Sequence, residues 1–194
     1  MKHLGTKKLG TDRLILRPFT MEDAEAMYKN WASDPDVTKY LPWTPHESVQ
    51  VTRSLLEDWI SQYEKDDYYH WTIVLKENGE EPIGSISAVH KDDTIKMVHM
   101  GYCIGKKWWK QGITSEALAA LIKFFFEEVG VNRIELRHDP SNPNSGKVMM
   151  KCGLQYEGTH RQAGLNNQGI CDSAMYAILA EDYCAAKQEV EKCN

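Results

Sequence analysis

The sequence predicts one α/β (α+β) domain built on a single mixed, mostly antiparallel sheet of six to seven strands flanked by helices. Three observations predict it. At 194 residues the chain has the size of one domain that buries most of the surface its unfolded form exposes. Three β-favouring runs, 69–75, 83–89 and 97–104, are joined by ENGEEP and KDDT, connectors short and turn-rich enough for antiparallel hairpins. From 97 to 138 the order is strand, helix, strand, which favours parallel pairing of the run ending at Ile104 with the run starting at Arg133.

The elements follow in order. Residues 1–10 are a polar lead-in, and DRLILRP (12–18) is a strand closed by Pro18. Thr20 and Asp23 approximate a capping box, and Ala24, Met27, Tyr28 and Trp31 follow at helical spacing. Three prolines make 34–45 (DPDVTKYLPWTP) a largely non-helical loop, whose Tyr40, Leu41 and Trp43 either pack it down or line a cleft. Val49, Leu55, Leu56, Trp59 and Ile60 predict a second amphipathic helix over 46–63. Its acidic neighbours Glu57, Asp58, Glu64, Asp66 and Asp67 form a solvated face or one that steers a cationic acceptor.

After the central glycine-led helix, Gly130 stands at a C-cap and 133–138 (RIELRH) alternates as a strand. Asn142 is an N-cap with Pro143 at the first helical position, and Gly153 ends a short helix carrying Val148 and Met149. Strands over 155–156 and 174–179 flank a polar connector at 166–169, and the tail after Asp182 is a loose helix. The domain itself is expected to run from 11 to 183, with 184–194 as a tail.

Composition narrows the function. A net charge of −5 argues against a nucleic-acid partner. No eighteen-residue apolar run and no secretory h-region occur, so a cytoplasmic protein with no membrane partner is expected. The five cysteines, Cys103, Cys152, Cys171, Cys184 and Cys193, show no CxxC or His-paired spacing, which predicts reduced thiols and no metal site.

The most informative stretch is MVHMGYCIGKKWWKQGITSEAL, 97–118, which reads as strand, loop and helix start in succession. A helix start leaves backbone N–H groups without carbonyl partners, and the aligned peptide dipoles add positive charge there. Gly112 has no Cβ to hold a ligand off, Thr114 and Ser115 add hydroxyls, and Lys106, Lys107 and Lys110 surround the approach. A pyrophosphate fits this description; so does an ordinary capped helix with solvated lysines. Neither GxxxxGK[ST] nor GxGxxG is present.

The motifs TDRLILRPFTMEDAEAM, DPDVTKYLPW, IGSI, MGYCIGKKWWKQGITSEAL and SNPNSGKVMMKCGLQYEG, in this order over residues 11 to 183, resemble the GNAT superfamily of acetyl-CoA-dependent N-acetyltransferases, within it the ribosomal-protein N-acetyltransferase branch. The resemblance implies a GNAT fold whose sheet splays between the strands ending near Ile104 and starting near Arg133. It implies that backbone groups of Tyr102, Cys103 and Ile104 pair with the pantetheine arm of acetyl-CoA. It implies that amides from Lys110 through Gln111, Gly112, Ile113 and Thr114 to Ser115 hold the pyrophosphate. The family's loop begins with Gln or Arg and continues x-x-G-x-G/A; Trp109, Gly112 and Thr114 stand there, and Thr114 is a departure that crowds the phosphates. Asn142 and Ser145 match the branch's N-x-x-S, near the pantetheine and the departing sulfur, and Lys147 or Lys151 meets the adenosine phosphate.

The implied chemistry is direct attack of a neutral amine on a thioester held beside it. A backbone N–H near Cys103 or Ile104 would stabilise the oxyanion. Many members protonate the thiolate with a tyrosine, but Met149 occupies that position, which leaves Ser145 as the donor. Relatives often carry a glutamate base two residues before the strand's glycine; here His99 stands there, and histidine titrates near neutrality. The implied partner is an amine-bearing substrate, with a homodimer as a further expectation. A polyamine or antibiotic acetyltransferase and a non-catalytic acyl-CoA-binding module are the alternatives.

Overall fold

Val98, Met100, Tyr102 and Ile104 point to one side of their strand and His99, Gly101 and Cys103 to the other, because side chains alternate along an extended chain. That alternation separates two packing layers. In the computed structural model, which describes residues 1–79 and 81–192, the strands are β1 (Leu9–Gly10), β2 (Leu14–Arg17), β3 (His70–Leu75), β4 (Pro82–Asp92), β5 (Met97–Ile104), β6 (Arg133–His138), β7 (Gln155–Asn166) and β8 (Gly169–Leu179). Among the described residues they form one eight-stranded sheet in the order β1-β2-β3-β4-β5-β6-β8-β7. Only β5 and β6 are parallel, and the crossover between them contains α4 (Ile113–Phe124).

One face carries the larger core. Ile113, Ala117, Leu118, Leu121 and Ile122 of α4, with Met149 of α5 (Pro143–Lys151), pack on Leu16, Trp71, Ile86, Val98, Met100 and Ile134. An aromatic cluster of Tyr69, Trp71, Phe124 and Phe125 closes it, with ring centroids 5.0–6.2 Å apart. On the opposite face α1 (Ala24–Met27), continued by a π-helical turn at Tyr28–Ala32, packs with α3 (Val49–Gln62) around Phe19, Met27, Trp31 and Leu56, and Cys103 of β5 lies against this second layer. The Thr20 amide donates to Asp23, whose carboxylate also takes both Arg17 guanidinium nitrogens at 2.8 Å, so the expected capping pair is welded to β2.

The differences from expectation have physical reasons. The eighth strand is β1, two residues inside the lead-in and too short to show a period; Met1, Leu4 and Leu9 pack it onto the first core. The proline-rich segment contains a helical turn, α2 (Pro35–Thr38), because Asp34 accepts from the Asp36 amide and Pro35 suits the first helical position. The strands read as 155–156 and 174–179 extend to Asn166 and back to Gly169. β7 is exposed along nearly its whole length, so no apolar alternation announces it. Gly130 and Gly153 do take left-handed conformations after their helices. α6 (Ala180–Lys192) follows β8.

Cys103, Cys152, Cys171 and Cys184 are free thiols; the expectation for Cys193 lies outside the described residues. Among the described residues no cluster of three His, Cys, Asp or Glu side chains could hold a metal ion, and no helix is long and apolar enough to cross a membrane.

Candidate active site

β5 and β6 pair only through Met97–Arg133, Val98–Ile134 and His99–Glu135, and then part. Beyond that last rung, Met100 to Ile104 remain paired with β4 but, among the described residues, have no strand on their other side. Tyr102, Cys103 and Ile104 therefore border the opening, as expected. The Trp109 indole donates to the Ile104 carbonyl at 2.9 Å and folds the following loop back onto the strand end.

That loop delivers a run of free amides. Among the described residues, the backbone N–H groups of Lys110, Gly112, Ile113, Thr114 and Ser115 have no acceptor in the protein, while Gln111 closes a turn through Trp109 and Lys110; the ladder of α4 begins when the Glu116 amide donates to the Gly112 carbonyl at 3.0 Å. Lys110 (φ 61°) and Gly112 (φ 76°) are both left-handed, and alternating conformations of this kind turn successive N–H groups into one concavity. For Lys110 the conformation is strained by about 1–3 kcal/mol, a cost found at binding sites. The Ile113 side chain is buried in the core, which anchors the turn; Thr114 is half-buried and Ser115 largely buried.

Two of the lysines expected around this concavity have partners elsewhere. Lys106 pairs with Asp36, and Lys107 sits over the Trp108 ring at 5.2 Å. A Cβ on Gly112 would instead stand 3.7 Å from both Arg13 Nη2 and Lys151 Nζ. Arg13 arrives from the start of β2. Its Nε donates to Glu116 at 2.6 Å and its Nη1 to the Gln111 carbonyl at 3.1 Å. Burial would raise the Glu116 carboxyl, but hydrogen bonds from Thr11 and Arg13 outweigh it and hold the group below the usual range, so it stays an anionic anchor. These residues, with Ser115, Ala119 and Cys152, line a cleft of about 330 Å³. Lys147 lies one turn earlier on α5, exposed, with no polar contact among the described residues.

The opening is bridged on both faces. On the α4 side the Tyr102 hydroxyl donates to the Ser145 carbonyl at 2.9 Å and lies 3.0 Å from Ser145 Oγ, joining β5 to the start of α5. Burial pushes the Tyr102 phenol far up, so it stays protonated. Asn142 precedes α5, its amide donating to the Asp139 carbonyl at 2.7 Å, and Met149 is buried in the core, where it offers no hydroxyl. On the other face the β7–β8 turn reaches the 38–43 loop: Asn167 Nδ2 donates to the carbonyls of Thr38 (2.9 Å) and Trp43 (2.7 Å), and its amide to that of Leu41 (3.2 Å).

His99 sits on this second face at the last rung. Its Nδ1 is 3.1 Å from Glu135 Oε1. Burial holds the imidazole below its ordinary range against the opposing pull of Glu135, so it is neutral at pH 7.

A family model described as "Acetyltransferase (GNAT) domain" matches residues 13–155. The chain belongs to the GNAT acetyltransferase family. An uncharacterized N-acetyltransferase, p20, of Bacillus licheniformis is 31% identical over 90% of this chain and 97% of its own. The [ribosomal protein uS5]-alanine N-acetyltransferase of Escherichia coli is 25% identical over 91% of this chain and 92% of its own. A GNAT-family acetyltransferase structure from Bacillus anthracis superposes with a TM-score of 0.78 at 27% identity, covering 90% of this chain and 99% of the other.

GNAT acetyltransferases use acetyl-CoA, and the residues present in this one fit that group. Five unpaired amides and two cations meet a glycine with no Cβ, as a pyrophosphate requires, beside an unpaired strand edge that an extended amide chain can join. Arg13, Glu135 and Asn167 went unnoticed in the sequence. The opening motif around Arg13 reads as a strand and a family motif and RIELRH as a strand, with no site role for either.

Proposed function

We propose that this chain moves an acetyl group from acetyl-CoA to a primary amine by direct attack within a ternary complex, the acceptor being a protein N-terminal α-amine or a small amine. The observation that carries the proposal is the run of amides from Lys110 to Ser115, five of them unpaired, opening beside the free edge of β5. Acetyl-CoA, when bound, supplies the activated acyl carbonyl. The chain supplies everything else: the amides with Arg13 and Lys151 hold the phosphates, Asn142 and the Tyr102–Ile104 backbone orient the arm, and a β5 amide near Cys103 faces the developing oxyanion.

His99, neutral near pH 7 on the face opposite α4, takes the amine proton. Ser145 Oγ, whose proton points at the Tyr102 oxygen because the Tyr102 proton goes to the Ser145 carbonyl, turns that proton toward the departing sulfur. The acceptor preference follows from proton affinity. An α-amine of pKa about 8 is roughly a fifth neutral near pH 7.4, whereas a lysine at about 10.4 is neutral about one time in a thousand. Deprotonating lysine adds about 4 kcal/mol, against about 1 for an α-amine. A depressed histidine meets the smaller demand more readily. The uS5-alanine relative points the same way. The reading includes a cytoplasmic setting, which keeps the four described thiols reduced.

The test is release of free thiol from acetyl-CoA with panels of N-terminal peptides, polyamines and aminoglycosides. Release with peptides bearing a free α-amine supports the proposal. Preference for polyamines or aminoglycosides moves the acceptor to that class, and thermal stabilisation by acetyl-CoA without release for any amine leaves a binding module.

A further inference from the structure

We infer that Glu135 is a positioning residue for His99, fixing the imidazole so that Nε2 carries the lone pair that receives the amine proton. The inference rests on the reading of His99 as the base. A carboxylate can only accept, so the 3.1 Å contact between Glu135 Oε1 and His99 Nδ1 makes Nδ1 the protonated nitrogen and Nε2 the free one. Nε2 has no partner among the described residues, yet it is not sealed in: the buried side-chain nitrogen or oxygen left without a partner is His138 Nε2. His99 therefore presents an open acceptor on the face where Cys103 and the 38–43 loop lie.

Glu135 is itself held. Its second oxygen accepts from Arg133 Nε at 3.1 Å, and the Arg133 guanidinium is fixed by Glu157 at 2.8 and 2.5 Å. Each carboxylate oxygen thus has one assigned partner, and rotation of the group would break both contacts. The pair also stands at a defined place, the last rung before β5 and β6 part, so the imidazole is anchored to the rigid side of the opening.

The charges facing His99 explain why a carboxylate is needed. Burial, Arg137 on the same strand as Glu135, and His90 across β4 all disfavour the imidazolium; Glu135 opposes them. In the step itself the amine nitrogen–carbon bond forms and the carbon–sulfur bond breaks, the departing thiolate takes a proton from water by way of Ser145 Oγ, the amine proton passes to Nε2, and Nδ1–H stays on the ring. The resulting imidazolium then points its Nδ1 proton at a carboxylate.

Imidazole 15N spectra of the full chain, titrated from about pH 4.5 to 8.5, test this alongside thiol release with the best amine of the panel above. The wild type is expected to show His99 as the Nδ1–H tautomer. Glu135→Gln should keep that tautomer while lowering the His99 pKa, and Glu135→Leu should mix the tautomers and reduce kcat by about 10- to 100-fold, with the acetyl-CoA KM within about twofold. In a His99→Ala background, Glu135→Leu should cost nothing further. If His99→Ala is severely impaired while Glu135→Leu and Glu135→Gln leave the tautomer, the pKa and the acid limb of the rate profile as in wild type, this inference falls and the base survives. Unimpaired His99→Ala overturns both. Should Glu135→Leu fail to fold, the pKa shift in Glu135→Gln decides.

Discussion

Replacing Arg13 by Gln removes one positive charge from the amide concavity, together with the ion pair to Glu116 and the Nη1 bond to the Gln111 carbonyl. Glu116 would keep Thr11 Oγ1 at 2.5 Å and the residue-13 amide at 3.0 Å, and the glutamine amide can still reach it. The loss concentrates on Nη2, the atom standing 3.7 Å from where a Gly112 Cβ would project. A charge-assisted hydrogen bond to phosphate is worth about 1.5–3 kcal/mol when shielded. The Arg13 side chain is 49% exposed, so screening reduces that to about 1–2 kcal/mol, or roughly 5- to 30-fold in affinity. Calorimetric titration with acetyl-CoA should show this weakening, larger at low ionic strength, while acetyl-pantetheine, which has no pyrophosphate, binds both proteins alike. An acetyl-CoA Kd within twofold of wild type at low salt would refute the placement of the phosphates.

Asn167→Ala removes the two side-chain bonds that tie the β7–β8 turn to Thr38 and Trp43, leaving the amide bond to Leu41; steady-state kinetics should show the acceptor KM rising about 3- to 10-fold with acetyl-CoA affinity unchanged. Gly146→Ala would place a Cβ 2.6 Å from His138 Nε2, and such overpacking should cost about 1–3 kcal/mol, visible as a lower Tm and a disordered start of α5. His70 is buried against Phe19 and Trp59 and pushed down to about 3 by burial. The folded protein therefore binds fewer protons than the unfolded chain, so this contribution is complete above about pH 6.5 and lost as pH falls toward 3. Urea unfolding should show about 2–3 kcal/mol lost between pH 6.5 and 4.5, and less in His70→Gln.

The sequence was most informative where function and folding ask for the same residues. Gly112 opens a helix, so the apolar residues Ala117, Leu118, Leu121, Ile122 and Phe125 at helical spacing behind it located the loop, and the parallel crossover followed from its order between two strands. Residues acting across long separations were illegible. Arg13 meets Glu116 across 103 positions and Glu135 meets His99 across 36, and neither leaves a local pattern. Lys106 and Lys107 looked like phosphate ligands because sequence shows charge but not partners; Asp36 and the Trp108 ring occupy them. β7 was missed beyond Tyr156 because an exposed edge carrying Gly158 and Gly164, with register shifts at both, has no period to read.

In the proposed enzyme, the amides between Trp109 and Glu116 grip the phosphates of acetyl-CoA. The most direct measurement is a two-dimensional 1H–15N spectrum of the full chain titrated with acetyl-CoA. Saturable downfield shifts and slowed exchange of the Lys110 to Ser115 amides, together with shifts at Tyr102, Cys103 and Ile104, are the predicted result. Unmoved Lys110 to Ser115 resonances in a folded protein that binds acetyl-CoA would contradict it.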